Sequence, residues 1–314
     1  MYTIFASVQS ATSNTVSYTD LMHKLAQNVI NILGENGKKW IADLPSTIKI
    51  LADHWNLSNL VSVDNMTFNY VAKAIYNSNQ PVVLKIGFDT NVISDEKRAL
   101  IYFDGNASIR LIDYNEKYNA LLLQQAIPGT TLKSLYPANN KFVIDCYVDT
   151  VQKLLDKPLD NKNSFRHISD WLKILDNFKS DKLPEYLLKK AIHLKNILLA
   201  SMKIEILLHG DLHQDNILKN NDTWLAIDPK GIIGESEFEV AAFDFIHGTE
   251  LTNNLEAKKL FLDRINILAK RSNLSAERIR NWTLVRLILS AAWHIEDNGD
   301  PGLDIKLAEI LEKM

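Results

Sequence analysis

HGDLHQDNIL, residues His209 to Leu218, is the stretch on which the fold turns. Its ten residues hold two histidines, two aspartates and one asparagine, bracketed by Leu207-Leu208 and Ile217-Leu218. An apolar bracket of this kind anchors a short polar loop between two buried segments. Asp211 and Asn216 lie five residues apart, and both carry hard oxygen donors of the sort a magnesium ion takes. His209, Asp211 and His213 alternate as ligands on one strand face would, yet no further histidine motif backs such a metal site. The two histidines are read as supports of the loop rather than as proton carriers.

Working outward, the chain has 314 residues, enough for one large domain or two packed ones. It is 46% hydrophobic and 23% charged, the balance of an ordinary globular protein. A formal net charge of −3 gives no basic footprint for nucleic acid. No apolar run approaches the roughly 18 residues of a membrane span. The richest, LVRLILSAAW from Leu284 to Trp293, is short, contains Arg286 and reads as a buried helix. The single cysteine, Cys146, builds neither a disulfide nor a zinc site and reads as a small buried hydrophobe. The first 14 residues have no basic segment, the first lysine being Lys24, so no signal peptide is expected and a cytoplasmic location is.

Residues 18–57 repeat apolar side chains at helical spacing, with a second helix expected from near Pro45. Val61 to Ile75 and Pro81 to Gly87 read as two strands joined at Asn77-Ser78-Asn79. Asp95 to Phe103 suits a helix capped by Ser94, followed by strands over Ala107 to Ile112 and Asn119 to Ala126. After Pro128-Gly129 the pattern turns helical, apart from the opening stretch and a short strand at Trp224 to Ile227. The expected organisation is α+β: a small, mostly-β N-terminal lobe over residues 1–126, with a helical lead-in, and a larger, mostly-α C-terminal lobe over 127–314.

The Asp211–Asn216 spacing is that of the catalytic loop of protein kinases, where the Asp receives the hydroxyl proton and the Asn binds magnesium. A second carboxylate is then needed, and Asp228 in WLAIDPKG follows a short apolar strand 17 residues past Asp211. Upstream, Lys85 in PVVLKIG is a charge inside an apolar strand pattern, which requires a partner. Glu96, on the next helix, is placed to be that partner. The order Lys85, Glu96, Asp211, Asn216, Asp228 reproduces five kinase parts in sequence.

With these residues in view, HGDLHQDNIL and WLAIDPKG resemble the aminoglycoside phosphotransferase family of small-molecule kinases. LAIDPKGIIGE, ASIRLIDYNEKYNALLLQQAIPGTTL and AAWHIEDNGDP resemble its branch of streptomycin 6-kinases and hydroxyurea phosphotransferases, the similarity being scattered over Val61 to Pro301. The resemblance implies a bilobal protein-kinase-like fold, ATP between the lobes, Mg2+, and phosphoryl transfer to a hydroxyl. By position, Asp211 would be the base, Asn216 and Asp228 would hold Mg2+, and Lys85 would meet the ATP phosphates with Glu96 holding it. Gln124 to Ile127, including Ala126, would be the hinge whose backbone meets adenine. The chain departs from the pattern in three places: Asp215 stands where the family often has glycine, Pro229 follows Asp228, and VDNMTFNY, the phosphate-covering segment, contains no glycine. Thr67 and Asn69 would supply polar contacts to the phosphates instead.

Two stretches are acidic and lack Lys or Arg: Gly231 to Glu250 with five carboxylates, and Glu296 to Asp304 with four. One reading is solvated helix ends; the other is a pocket for a cationic, hydroxyl-bearing substrate such as an aminoglycoside, with Glu235, Glu239 and Asp297 in contact. A kinase of a native metabolite such as a sugar or amino alcohol, or a catalytically silent nucleotide-binding module, stands beside the antibiotic-kinase reading. Neither a nucleic-acid nor a membrane partner is expected.

Overall fold

The helical lead-in breaks at Gly34, not near Pro45. In the computed structural model, which describes residues 18–64, 66–159 and 164–313, α1 runs Tyr18–Leu33 and α2 runs Glu35–His54. Gly34 takes φ +59°, a left-handed conformation that a Cβ would penalise. Pro45 removes one N–H donor inside α2, but Leu44 and Leu51 are buried on either side and hold the helix through it. The chain forms two compact units. One takes the described residues up to Gly105 with Ile109–Ala126; the other takes Asn106–Ser108 and the described residues from Ile127 onward.

The first unit is built on an antiparallel sheet of five strands: β1 (Leu57–Ser62), β2 (Asn69–Tyr76), β3 (Gln80–Gly87), β4 (Leu111–Asn115) and β5 (Ala120–Gln124), in the order β1-β2-β3-β5-β4. Asn77 and Ser78, both at positive φ, turn β2 into β3. Side chains alternate along a strand. Val82, Leu84 and Ile86 of β3 therefore enter one core with Leu25 and Val29 of α1 and Leu44 and Leu51 of α2. The lead-in helices thus cover one sheet face, and Lys85 belongs to the other.

Helix α3 spans Thr90–Phe103. Its cap is Asp89, whose side chain accepts the Asn91 and Val92 N–H groups at 2.8 and 3.3 Å, rather than the expected Ser94. Ile93, Glu96, Leu100 and Phe103 form its buried stripe, so helical periodicity carries Glu96 inward. β4 starts at Leu111 and not at Ala107, because Ala107 and Ser108 belong to the second unit, where the Ala226 N–H donates to the Ala107 carbonyl at 2.8 Å.

The second unit is mainly helical: α4 (Asn140–Leu155), the short α5 (Ile168–Leu172) and α6 (Ile174–Asn177), α7 (Glu185–Ala200), the short α8 (Ser236–Val240), α9 (Asn254–Ser272), α10 (Ala276–Glu296) and α11 (Gly302–Glu312). Its strands are short: β6 (Pro128–Thr131), β7 (Arg166–His167), β8 (Ile206–Leu208), β9 (Ile217–Asn220), β10 (Thr223–Ala226) and β11 (Ile232–Gly234). They form two sheets, β10-β9-β6 and β7-β11-β8. α10 packs against α7, α9 and α11, with Trp282, Val285, Ile288 and Leu289 buried. Among the described residues no helix is long and apolar enough to cross a membrane. The fold is α+β, a sheet-built unit and a larger helical one.

Candidate active site

Two pairs of short strands clamp the polar loop. β8 leads into His209 and pairs with β11, Leu208 opposite Ile232. β9 leads out of Asn216 and pairs with β10, Ile217 opposite Ala226. The segments 209–216 and 227–231 are therefore tied at both ends. Between the ties, the Ile227 N–H donates to the Asn216 carbonyl at 2.9 Å, and the Lys230 N–H donates to the His209 carbonyl at 2.7 Å. This places Asp211, Asn216 and Asp228 on adjacent backbone. Asp228 itself sits at φ +60°, a left-handed conformation that Asp tolerates better than most residues.

Asp211 is 3% exposed, and among the described residues its Oδ1 has no hydrogen-bond partner. Around it stand the Asn216 Nδ2, 2.8 Å from the Asp211 carbonyl and 3.4 Å from Oδ2, the Lys230 Nζ, 3.5 Å from Oδ2, and the His213 Nε2, 3.9 Å from Oδ1. A buried carboxylate oxygen without a donor is what a base awaiting a hydroxyl requires. With Nδ2 of Asn216 turned to Asp211, its Oδ1 would be the atom offered to a cation, and Asp228 would add a carboxylate. This oxygen donor set fits a hard divalent ion.

The histidine of HGD is structural in its bonding. His209 is fully buried; its Nδ1 accepts the Asp211 N–H at 3.2 Å and its Nε2 donates to the Ile227 carbonyl at 2.7 Å. This pair of bonds requires the neutral ring protonated at Nε2. Burial pushes its pKa down to about 3, against the opposing bond to Ile227. Below the ordinary value of about 6.5 the unfolded chain then binds a proton that the native state refuses. Stability conferred at this position is complete above that pH and declines as pH falls toward 3. His209→Gln, whose amide meets both backbone partners without titrating, is expected to remove this decline. Urea unfolding across that window should show the wild type losing on the order of a few kcal/mol relative to the variant; a pH-independent difference would contradict the assignment.

Gly210 supplies the sharp turn before Asp211. It sits at φ +87°, and a Cβ there would lie 2.9 Å from the Ile232 side chain and 3.1 Å from Trp171. Two buried charges hold its peptide. The Gly210 N–H donates to both Glu239 oxygens at 3.2 and 3.1 Å, and the Arg286 guanidinium donates to the Gly210 carbonyl at 3.1 Å while lying 4.5 Å over the Phe238 ring. Burial raises the Glu239 pKa to about 7, opposed by the Gly210 bond and Arg286.

The expectation of substrate contact for Glu235 and Glu239 meets a different placement. Glu239 is fully buried under the loop. Glu235 is 6% exposed and receives Arg278 in two-pronged fashion at 2.6 and 2.8 Å as well as the Trp282 indole N–H. Carboxylates so engaged present nothing to a ligand. Asp297, by contrast, is exposed at the end of α10. Arg286 was legible as a lone charge in an apolar helix, but its role as a clamp on the loop required the fold. One further group, His213, Asp215 and Asp244, offers atoms within 4.8 Å of one another, with Asp244 already ion-paired to Lys133.

In the first unit, the Lys85 Nζ lies 2.9 and 2.7 Å from the two Glu96 oxygens, and both residues are buried. Gln124 ends β5, its N–H donating to the Arg110 carbonyl at 2.9 Å. Ala126 is buried, whereas Ile127 is exposed and belongs to the second unit, where its N–H donates to Asn220 at 3.2 Å. The Thr67 carbonyl accepts Asn28 at 2.9 Å, and Asn69 pairs with Gly87 at the edge of the hairpin.

The profile of the aminoglycoside/hydroxyurea antibiotic resistance kinases matches residues 54–298, and the chain belongs to this family. It is 24% identical over 312 residues to a streptomycin 6-kinase of Streptomyces glaucescens, covering 95% of this chain and 99% of that one. It is 23% identical to a hydroxyurea phosphotransferase of Kitasatospora aureofaciens, covering 88% and 82%. In fold it is similar to the aminoglycoside phosphotransferase APH(4)-Ia, with a TM-score of 0.65 at 14% identity over 86% of this chain and 98% of that one. It is also similar to the choline kinase LicA from Streptococcus pneumoniae, with a TM-score of 0.62 at 16% identity over 86% and 100%.

Proposed function

We propose that this chain is an ATP- and magnesium-dependent O-phosphotransferase whose acceptor is a hydroxyl of a small cationic molecule, streptomycin or a related aminoglycoside. The observation that carries the reading is the buried Asp211 carboxylate with a partnerless oxygen, on backbone shared with Asn216 and Asp228. Family membership and the similarity to streptomycin 6-kinases support the choice of acceptor. Asp211 orients the acceptor hydroxyl and takes its proton. Asn216 and Asp228 would hold the magnesium ion, which when bound neutralises phosphate charge. Lys85, fixed by Glu96, meets the ATP phosphates, with Thr67 and Asn69 as polar contacts and Gln124, Ala126 and Ile127 meeting the adenine. Asp297 pairs with a substrate amine or guanidinium. A cytoplasmic location goes with the ATP supply.

Coupled ADP release from ATP and Mg2+ tests this, with streptomycin and a panel of aminoglycosides, sugars and amino alcohols. Streptomycin-dependent turnover is expected. Turnover with a sugar or amino alcohol alone would move the acceptor to a native metabolite, and nucleotide binding without turnover on any acceptor would contradict the enzyme reading.

A further inference from the structure

We propose that Lys230 is a catalytic residue, its ammonium meeting the γ-phosphoryl group as it passes to the hydroxyl held by Asp211. The proposal rests on the phosphotransferase reading above and adds a residue to it. The segment from His209 to Leu218 contains no Lys or Arg, so any cation beside the base comes from elsewhere. Two approach it. Arg286 is buried, bonded to the Gly210 carbonyl and stacked on Phe238, and it acts on Asp211 electrostatically from within the fold. Lys230 keeps about a fifth of its side chain exposed, with Nζ 3.5 Å from the Asp211 Oδ2. That separation exceeds ordinary hydrogen-bond length, so the two are charge neighbours. The position is built into the backbone: the Lys230 N–H is tied to the His209 carbonyl at 2.7 Å, Pro229 before it is buried, and Asp228 lies two residues upstream.

A cation 3.5 Å from the Asp211 carboxylate takes no part in proton abstraction, and it finds a use when a third, anionic group stands between the two. In phosphoryl transfer the transition state is loose, strong basicity adds little, and electrostatic neutralisation dominates. The bond from the γ-phosphorus to the oxygen bridging it to the β-phosphorus breaks, its electron pair leaving on ADP. A new P–O bond forms to the acceptor oxygen, whose proton passes to Asp211. Lys230 exchanges no proton and offsets the charge on the γ-phosphoryl oxygens.

The test measures Lys230→Met, Lys230→Gln and Lys230→Arg with ATP, Mg2+ and streptomycin, alongside nucleotide binding and thermal unfolding. The neutral variants are expected to lose about 10²–10³-fold in kcat with little change in KM for ATP. Lys230→Arg should recover part of the loss. A lysine acting only in stability would move the unfolding midpoint and leave kcat in place. Folded neutral variants that keep kcat within about threefold of wild type overturn the proposal. A wild type inactive on every acceptor instead overturns the phosphotransferase reading, and Lys230 with it.

Discussion

Asp211→Asn is expected to lower turnover by about two to four orders of magnitude while nucleotide binding and thermal unfolding stay close to wild type. The amide has the size of the carboxylate but cannot take a proton. The packing around position 211 does not depend on that proton: the backbone ties through His209 and the Asn216 bond to the Asp211 carbonyl use main-chain atoms. The measurement is ADP release with an acceptor that the wild type turns over, beside a binding titration with ATP. An Asp211→Asn enzyme of undiminished kcat would falsify the assignment of the base. Unchanged Asp211→Asn kinetics together with a slow Lys230→Met would shift the whole effect onto electrostatics.

Lys85→Met is expected to reduce both stability and nucleotide affinity, and a second substitution separates the two. The Lys85–Glu96 pair is almost wholly removed from solvent, at 3% and 4% exposure. Taking away the ammonium leaves the Glu96 carboxylate in the interior without its lysine, a loss of about 3–5 kcal/mol for a pair of this kind. Lys85→Met with Glu96→Gln removes both charges, and replacing both partners is far less costly than removing one. Denaturant unfolding should therefore show the double variant recovering most of the stability. ATP affinity should not recover, because no cation remains on β3. Recovery of both would mean that Lys85 holds α3 in place and does not meet phosphate. Recovery of neither would mean that the pair is not energetically coupled.

Much of the fold was legible because periodicity is local. The alternation along β3, the stripe on α3 and the long apolar repeats of α9 and α10 each follow from residues within a few positions of one another. The pairing of Lys85 with Glu96 was legible for a related reason: a charge in an apolar strand needs a partner, and the next helix offered one. The misread boundaries are places where a distant contact overrode a local signal. Pro45 looks like a helix start, yet burial of Leu44 and Leu51 carries α2 through it. Ser94 looks like a cap, but Asp89 reaches the first free N–H groups of α3. Ala107 and Ser108 look like the start of β4, and pairing with Ala226 takes them to the other unit. β6, β8 and β11 are three or four residues long, too short for a period, and exist because a partner strand lies beside them.

The acidic run from Gly231 to Glu250 marks the boundary between the two kinds of knowledge. Read along the chain it has five carboxylates and no Lys or Arg, which suggests a surface waiting for a cationic ligand. In space its cations arrive from elsewhere: Arg278 to Glu235 across 43 residues, Arg264 to Glu250, Lys133 to Asp244, and Arg286 beside Glu239 over the Gly210 peptide. The amino-acid order by itself pointed to the family of small-molecule kinases, because the hard oxygen donors, the proposed base and the strand lysine are recognisable from type and spacing. Only the tertiary structure decided which carboxylates remain open to a ligand and that Lys230 stands beside Asp211. Electrostatic partnership depends on distance and burial in space, and those are set by packing between segments far apart in the chain.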